Sequence, residues 1–134
     1  MMCVLFLAVP MALITALTLA AIADLRVPQS DLRRRAEAKG LSLLRSWLTP
    51  EQDEQWSRDS EFEVVGCDTG ARYRITNGTT MNVIELDKNG RSVKRWCFTP
   101  VGPIVQGDVL LAQKIALETM ENYARSLANS QRAA

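Results

Sequence analysis

RYRITNGTTMNV, residues 72–83, is the stretch that decides the fold. It places an Asn-Gly pair between two runs rich in β-branched and aromatic residues, and Asn-Gly is strongly preferred in two-residue β-hairpin turns. The stretch therefore predicts two antiparallel strands joined by that turn. In this register Ile75 lies opposite Thr80, and Tyr73 lies opposite Asn82.

Two more strand-like runs flank the hairpin. Residues 61–65 alternate polar and apolar side chains and are followed by a turn signal at 68–70, and residues 71–76 then begin the hairpin. On the other side, the third strand reaches about Leu86 and is followed by the turn DKNG, residues 87–90. This turn fits type I with Asp87 first or type I′ on Asn89 and Gly90, and the two differ in register. The faces of the fourth strand, residues 92–99, therefore stay open.

Helical signals surround the strands. TPEQ, residues 49–52, is a capping box with proline at the first helical position, so it predicts a short helix to about Ser57. A preceding helix is predicted from Ser30 or Asp31 to about Leu48.

The final helix is predicted over residues 109–127, with Asp108 as its N-cap, and the tail after Ala128 is expected to be frayed. At 100° per residue, one side of this helix is predicted to face the sheet and carries Val109, Ala116, Leu117, Met120, Tyr123, Ala124 and Leu127. The opposite side carries Lys114, Glu118, Glu121 and Arg125, and the last two are correctly ordered for an i,i+4 ion pair.

These elements predict an α+β fold: an N-terminal transmembrane helix, then about four antiparallel strands in a meander, packed by the C-terminal helix. Three regions follow from the pattern. Residues 1–23 form a membrane anchor or signal peptide, residues 24–58 a helical linker region, and residues 59–134 a small α+β domain.

Residues 1–23 contain no charged side chain. As a helix they would be about 34 Å long, against a bilayer core of about 30 Å, which favours a single-pass anchor. Basic residues such as Arg33 and Lys39 follow the segment and none precedes it, so the positive-inside rule predicts an inner-membrane protein with its domain in the cytoplasm. The lipid bilayer is thus the first predicted partner.

Two alternatives to the anchor stay open. Ala21-Ile22-Ala23 fits a signal-peptidase site, and cleavage would make the domain periplasmic or secreted. Initiation at Met11 would leave only about 13 apolar residues, too few to span a bilayer.

Composition excludes several functions. The chain has 134 residues, with 16 Lys+Arg against 15 Asp+Glu and no basic stripe, so no nucleic-acid partner is predicted. Histidine is absent, which removes the commonest general base and transition-metal ligand. No motif points to a catalytic residue, a cofactor or a metal, and an enzyme is not the favoured interpretation.

The cysteines outside the apolar segment are Cys67 and Cys97, and no CxxC motif is present. In a simple meander the two residues lie at opposite edges, too far apart for the roughly 5.5 Å between Cα atoms that a disulfide needs. Buried thiols are the favoured prediction; a disulfide would require a curled sheet, and a reactive thiol at Cys97 would offer the one route to an enzyme.

Five residues are candidates for contact with a ligand or partner. Arg72 and Arg74 share one face of the second strand, where they could receive an anion or, more commonly, pair with Glu63 or Glu85 across the strands. Gln113 is a polar residue among the apolar positions of the final helix, and it is expected to tie the helix to a strand or loop by hydrogen bonds or to bind a ligand. A small-ligand-binding domain would bring these three side chains to one pocket. Leu111 and Ile115 fall outside the predicted sheet-facing side, so they are predicted to contact either the N-terminal helices or a partner. A protein-interaction or accessory module would meet its partner through these two residues or through an edge of the sheet.

Four strings carry a resemblance: DTGARYRI at 68–75, MNV at 81–83, CF at 97–98 and GDVLLAQKIALE at 107–118. They are similar to short alphaproteobacterial proteins, especially rhizobial ones, that have no known activity. The resemblance covers residues 47–128 and leaves the apolar segment outside. It implies a bacterial source and carries over no functional residue.

Overall fold

The computed structural model describes residues 29–98, 102 and 104–132. The chain divides into two compact units, residues 1–35 and 36–134. In the first unit, the described residues form the opening turns of helix α1 (Gln29–Trp47), and the rest of α1 belongs to the second unit. The predicted membrane segment, residues 1–23, lies outside the described ranges, and within those ranges no helix is long and apolar enough to cross a bilayer.

The second unit has an α+β fold, as predicted. A five-stranded antiparallel sheet has the order β1-β2-β3-β4-β5, so each strand neighbours the strands before and after it. After α1 the chain forms the elements α2 (Pro50–Asp59), β1 (Glu61–Val65), β2 (Arg72–Thr76), β3 (Val83–Leu86), β4 (Ser92–Cys97), α3 (Gln106–Leu127) and β5 (Asn129–Arg132).

The prediction of a frayed tail was wrong. After α3 the chain turns back and pairs β5 with β4, placing Ser130 opposite Trp96 and Asn129 opposite Cys97. The sequence of β5, NSQR, has low strand propensity, so this strand forms because a neighbouring strand supplies its backbone partners.

The predicted two-residue hairpin was also wrong. Ile75 lies opposite Val83 and Tyr73 lies opposite Glu85, so residues 77–82 form a longer loop. This register shifts the pairing by three residues and therefore exchanges the faces of the third strand. It brings apolar Val83, rather than Thr80, opposite the buried Ile75.

The second turn is the type I alternative with Asp87 first. The Gly90 N–H donates to the Asp87 carbonyl (3.0 Å), and the Asp87 carboxylate accepts from the N–H groups of Asn89 and Arg91 (both 2.8 Å). Asn89 has a negative φ, which excludes type I′.

Helix starts show one confirmation and one correction. The capping box of α2 is present: Thr49 Oγ1 accepts from the Gln52 N–H, and the Gln52 side chain accepts from the Thr49 N–H. Helix α3 begins two residues before the predicted N-cap Asp108. Val105 is its N-cap, and the carboxylate of Glu37 accepts the exposed N–H of Gln106 at 3.0 Å instead.

The core lies between the sheet and the helices, and α1, α2 and α3 all contribute to it. Its fully buried members include Leu44, Phe62, Val64, Tyr73, Ile75, Val83, Leu110 and Leu117. Helix α1 crosses the start of α3 at close range, because a Cβ on Gly107 would lie 2.1 Å from the carbonyl carbon of Gly40. Glycine at position 107 thus permits the contact between the two helices.

The predicted sheet-facing side of α3 was only partly right. Val109, Leu117 and Ala124 are buried, but Met120, Tyr123 and Leu127 are exposed, whereas Lys114 and Glu121 are buried. Met120 has non-helical angles (φ −151°, ψ 47°), so α3 is kinked there and the regular 100° spacing is interrupted.

Candidate functional site

Arg72 and Arg74 lie on the outer face of β2 and are paired with neighbours on β1. Arg72 Nη2 is 2.6 Å from Glu63 Oε2, and Arg74 Nη2 is 3.1 Å from Glu63 Oε1. Arg74 Nε also approaches Glu61 Oε1 at 3.3 Å. The cross-strand pairing with Glu63, one of the two sequence-based explanations, is therefore present.

Gln113 lies elsewhere, buried on the opposite side of the sheet. Its amide makes two reciprocal hydrogen bonds with the amide of Asn82, at 2.8 and 2.9 Å. Arg72 and Arg74 alternate with the core residues Tyr73 and Ile75, so they point away from α3. The structure does not bring the three side chains to one pocket, and the hypothesis that they share one is wrong.

Leu111 and Ile115 contact the domain's own core. Leu111 is a buried member of the core cluster, and Ile115 is partly buried against it. Leu111 and Ile115 therefore pack inside the domain. The large apolar residues of α3 that face outward are Met120, Tyr123 and Leu127.

The most unusual polar site is built around Glu121, whose side chain is fully buried. Its carboxylate accepts hydrogen bonds from the N–H groups of Asp68 (2.9 Å) and Thr69 (2.8 Å), and from the hydroxyls of Thr69 and Tyr73 (2.6 Å for Tyr73). Gly66 leaves the space for it, because a Cβ at that position would lie 2.3 Å from the carboxylate carbon. We call Gly66, Asp68, Thr69, Tyr73 and Glu121 the carboxylate clamp.

The loop between β1 and β2 also binds the backbone of α3 on both sides of the kink at Met120. The Leu117 carbonyl accepts from the Cys67 N–H (3.0 Å), and the Asn122 N–H donates to the Asp68 carboxylate (2.8 Å). The Glu121 N–H meets Cys67 Sγ at 3.5 Å. The kink at Met120 is thus flanked by contacts from this loop.

These contacts set the ionisation of the clamp. Burial would raise the pKa of Glu121, but the hydrogen bonds from Thr69, Tyr73 and Asp68 outweigh it and lower that pKa to about 2. Burial, together with the hydrogen bond to Glu121, raises the pKa of Tyr73. Near neutral pH the clamp therefore holds a carboxylate and a protonated phenol.

Arg125 connects the clamp to the far strands. Its guanidinium approaches Glu121 at 3.5 Å, in the predicted i,i+4 pair, and lies 5.0 Å from the ring centre of Trp96. The Trp96 indole N–H donates to Glu85 at 2.9 Å, and the Lys94 ammonium lies 4.0 Å from the same ring. The charges around the clamp are thus mutually compensated, which is typical of a structural network rather than of a reactive centre.

An apolar groove of about 290 Å³ runs along α3. Its exposed large side chains are Met120 (48% exposed), Tyr123 (62%) and Leu127 (69%). Its remaining lining residues are Phe98, Val109, Ala112, Gln113, Ala116, Ala124 and Ala128. Phe98 directly follows β4 and Ala128 directly precedes β5, so the groove lies beside the last strand pair; we call it the α3 groove.

The two edges of the sheet are covered differently. On β1, the Glu63 N–H donates to Gln55 Oε1 (2.9 Å) and the Glu63 carbonyl accepts from Gln52 Nε2 (2.8 Å), so side chains of α2 bind the edge. On β5, the other edge strand, no further strand pairs with the outer side anywhere in the part of the chain that the structure describes.

Cys67 and Cys97, the cysteines in the described ranges, form no disulfide. Cys67 is exposed and Cys97 is partly buried, so the prediction of buried thiols does not hold for Cys67. Among residues 29–98, 102 and 104–132, no group of three or more Cys, Asp or Glu side chains is arranged to hold a metal ion.

Comparison with family models, curated proteins and solved structures finds no significant match to this chain. Any function must therefore be inferred from the clamp, the groove and the sheet edges.

Sequence reasoning missed both the clamp and the groove. Glu121 lies on the side of α3 that periodicity assigns to solvent, and its partners are 52 and 53 residues away in the chain. A signal for the groove was present, because Met120, Tyr123 and Leu127 follow helical spacing. These three residues were instead predicted to face the sheet.

Proposed function

We propose that this chain is a membrane-tethered protein-interaction module and that the α3 groove is its contact surface. The observation that carries the proposal is the outward stripe of Met120, Tyr123 and Leu127, three large apolar residues that are about half exposed or more. Contiguous apolar surface on a small domain commonly marks a site of protein association, since exposing it to water is unfavourable.

The α3 groove has one lining side chain whose position is fixed by hydrogen bonds. Gln113 lines the groove, and its amide is held by two hydrogen bonds to the amide of Asn82. A side chain fixed in this way loses little conformational freedom on binding.

The tether rests on the sequence of residues 1–23, which lack any charge and are long enough to span a bilayer. We place the protein in the bacterial inner membrane as a single-pass protein with its domain in the cytoplasm, on the strength of the basic residues after the segment. The alternative is a periplasmic or secreted domain released by cleavage after Ala23.

Site-specific crosslinking tests the contact surface. A photoreactive amino acid at position 123 of the full chain in bacterial cells should form an adduct with a protein, and the Leu127→Ser change should remove that adduct. The same amino acid at position 65, where Val65 is 58% exposed on β1, is the matched control. Equal adducts at both positions, or none at 123, would contradict the proposal.

A second experiment tests the tether. C-terminal reporters active only in the cytoplasm or only outside it should give a cytoplasmic signal, and the intact mass should show that residues 1–23 are retained. An external signal with the segment removed would establish the cleaved form instead.

A further inference from the structure

We infer that the α3 groove and the outer edge of β5 together receive an extended, acidic segment of the partner protein, which joins the sheet as a further strand. This inference rests on the proposed function and names the kind of partner. It joins three independent features of the same corner of the domain: an open backbone edge, an adjacent apolar groove, and basic charge.

The open edge favours a strand as the occupant. β5 uses one side to pair with β4, and in the part of the chain that the structure describes no strand pairs with the N–H and C=O groups that point to the other side. A helix placed in the groove would cover its apolar residues but leave these groups without backbone partners. An added strand satisfies both, as in other cases of strand addition to a sheet edge.

The α3 groove would bind side chains of the partner segment. In an extended segment, alternate side chains point to one face, so every second residue would face α3. Phe98 and Ala128 continue β4 and β5 into the groove, while Tyr123 and Leu127 form its helical wall. Its volume of about 290 Å³ lies just below the range of about 300–1,000 Å³ for small-molecule sites, which suits a few apolar side chains of a longer segment.

The charges of β4 and β5 favour a partner segment that contains acidic residues. β4 contains the basic residues Lys94 and Arg95, and neither β4 nor β5 contains an acidic residue. Side-by-side pairing of β5 with β5 of a second copy would therefore supply no opposite charge from these strands, whereas acidic residues at the remaining positions of a partner strand would be attracted. The occupant is therefore a different protein with alternating apolar and acidic residues.

The other end of the sheet would not accept the same segment. The Glu63 backbone groups are bound by Gln52 and Gln55, and acidic residues dominate α2 and β1. An acidic strand at β1 would lose the α2 contacts and meet like charge.

Selection from a random library of nine-residue peptides on the full chain in lipid nanodiscs tests the inference. The enriched peptides should alternate apolar residues with Asp or Glu. Leu127→Ser and, separately, Tyr123→Ser should weaken their binding at least tenfold, and Val65→Ser should leave it unchanged. Equal urea midpoints of the variants and the parent would show that the loss is not due to unfolding.

Backbone methylation separates a strand from any other conformation. Two versions of the best peptide would carry N-methyl groups on odd or on even residues. Only alternate N–H groups of an added strand face β5, so one version should lose binding at least tenfold and the other should retain it. Loss in both or in neither, enrichment of basic or helical peptides, failure to enrich any peptide, or Leu127-dependent self-association would each overturn the inference.

The outcomes distinguish the two proposals. If position 123 crosslinks to a protein in cells but the library yields peptides of another type, the interaction function stands and the strand mode fails. If position 123 crosslinks to nothing, the function itself fails.

Discussion

The two edges of the sheet differ in whether the outer backbone groups of the edge strand are bound by other residues of the described chain. At β1, side-chain amides of α2 bind the backbone of Glu63 on both its donor and its acceptor, and acidic residues surround the edge. At β5, the last strand pair lies beside an apolar groove, β4 contains the basic residues Lys94 and Arg95, and no described strand covers the outer side of β5. An uncovered edge invites association, so proteins usually cover or charge those that are not used.

The residues that stabilise the fold and the residues proposed to bind a partner lie at different edges of the sheet. Polar contacts of Gln52, Gln55 and the carboxylate clamp are concentrated at β1, β2 and the loop between them, whereas the apolar residues that line an exposed groove lie on α3 beside β5. Changes near β1 should therefore alter folding, and changes beside β5 should alter association.

The largest effect is expected at the clamp. Glu121→Gln keeps the side-chain shape but removes the negative charge and one hydrogen-bond acceptor, so it should lower the free energy of unfolding by about 3 kcal/mol at pH 7. Urea denaturation measures the change. Glu54→Gln, on the exposed side of α2, is the control and should change it by less than about 0.5 kcal/mol. Equal effects of the two substitutions would refute the role of the clamp.

The same pair of proteins should respond differently to acid. Because the pKa of Glu121 is lowered from 4.5 to about 2 by folding, its stabilising effect is complete above about pH 5 and is lost as the pH falls toward 2. The difference in unfolding free energy between the parent and Glu121→Gln should therefore narrow over that interval. A difference that stays constant from pH 7 to pH 2 would be inconsistent with a buried carboxylate at this site.

A smaller effect is expected at the covered edge. Gln52→Ala removes the donor to the Glu63 carbonyl and half of the capping box, and should cost about 2 kcal/mol. Gln55→Ala removes one acceptor that water can partly replace, and should cost about 1 kcal/mol. Thermal and urea unfolding measure both, with Glu54→Ala as the control on the same helix. If all three substitutions behaved alike, the amide contacts would not be stabilising the edge.

The smallest effect on stability is expected beside the open edge. Tyr123→Ser and Leu127→Ser replace largely exposed side chains and should change the free energy of unfolding by no more than about 0.5 kcal/mol. Both should nevertheless weaken partner binding at least tenfold, as measured by fluorescence polarisation with the selected peptide. A large loss of stability would show that these residues belong to the core after all.

The sequence correctly predicted the features that depend on residues close together in the chain. The capping box at Thr49 and the bounds of β1 were predicted correctly, because each depends on residues only a few positions apart. The α+β class followed from the sum of such signals.

The remaining features depend on distant partners. The register of β2 and β3 accompanies the pairing of Asn82 with Gln113, 31 residues away, which an Asn-Gly signal does not reveal. β5 forms through β4, and Glu121 is buried because the loop of Asp68 and Thr69 provides its donors. The candidates Leu111 and Ile115 were chosen by periodicity, which the kink at Met120 and the contacts of α1 both disturb.

Backbone hydrogen exchange with and without the selected peptide tests the difference between the two edges most directly. On binding, the amides of β5 (Asn129–Arg132) should become more protected, and those of β1 (Glu61–Val65) should keep their exchange rates. Protection at β1, or binding that leaves β5 unprotected, would contradict the assignment of β5 and the α3 groove as the contact surface.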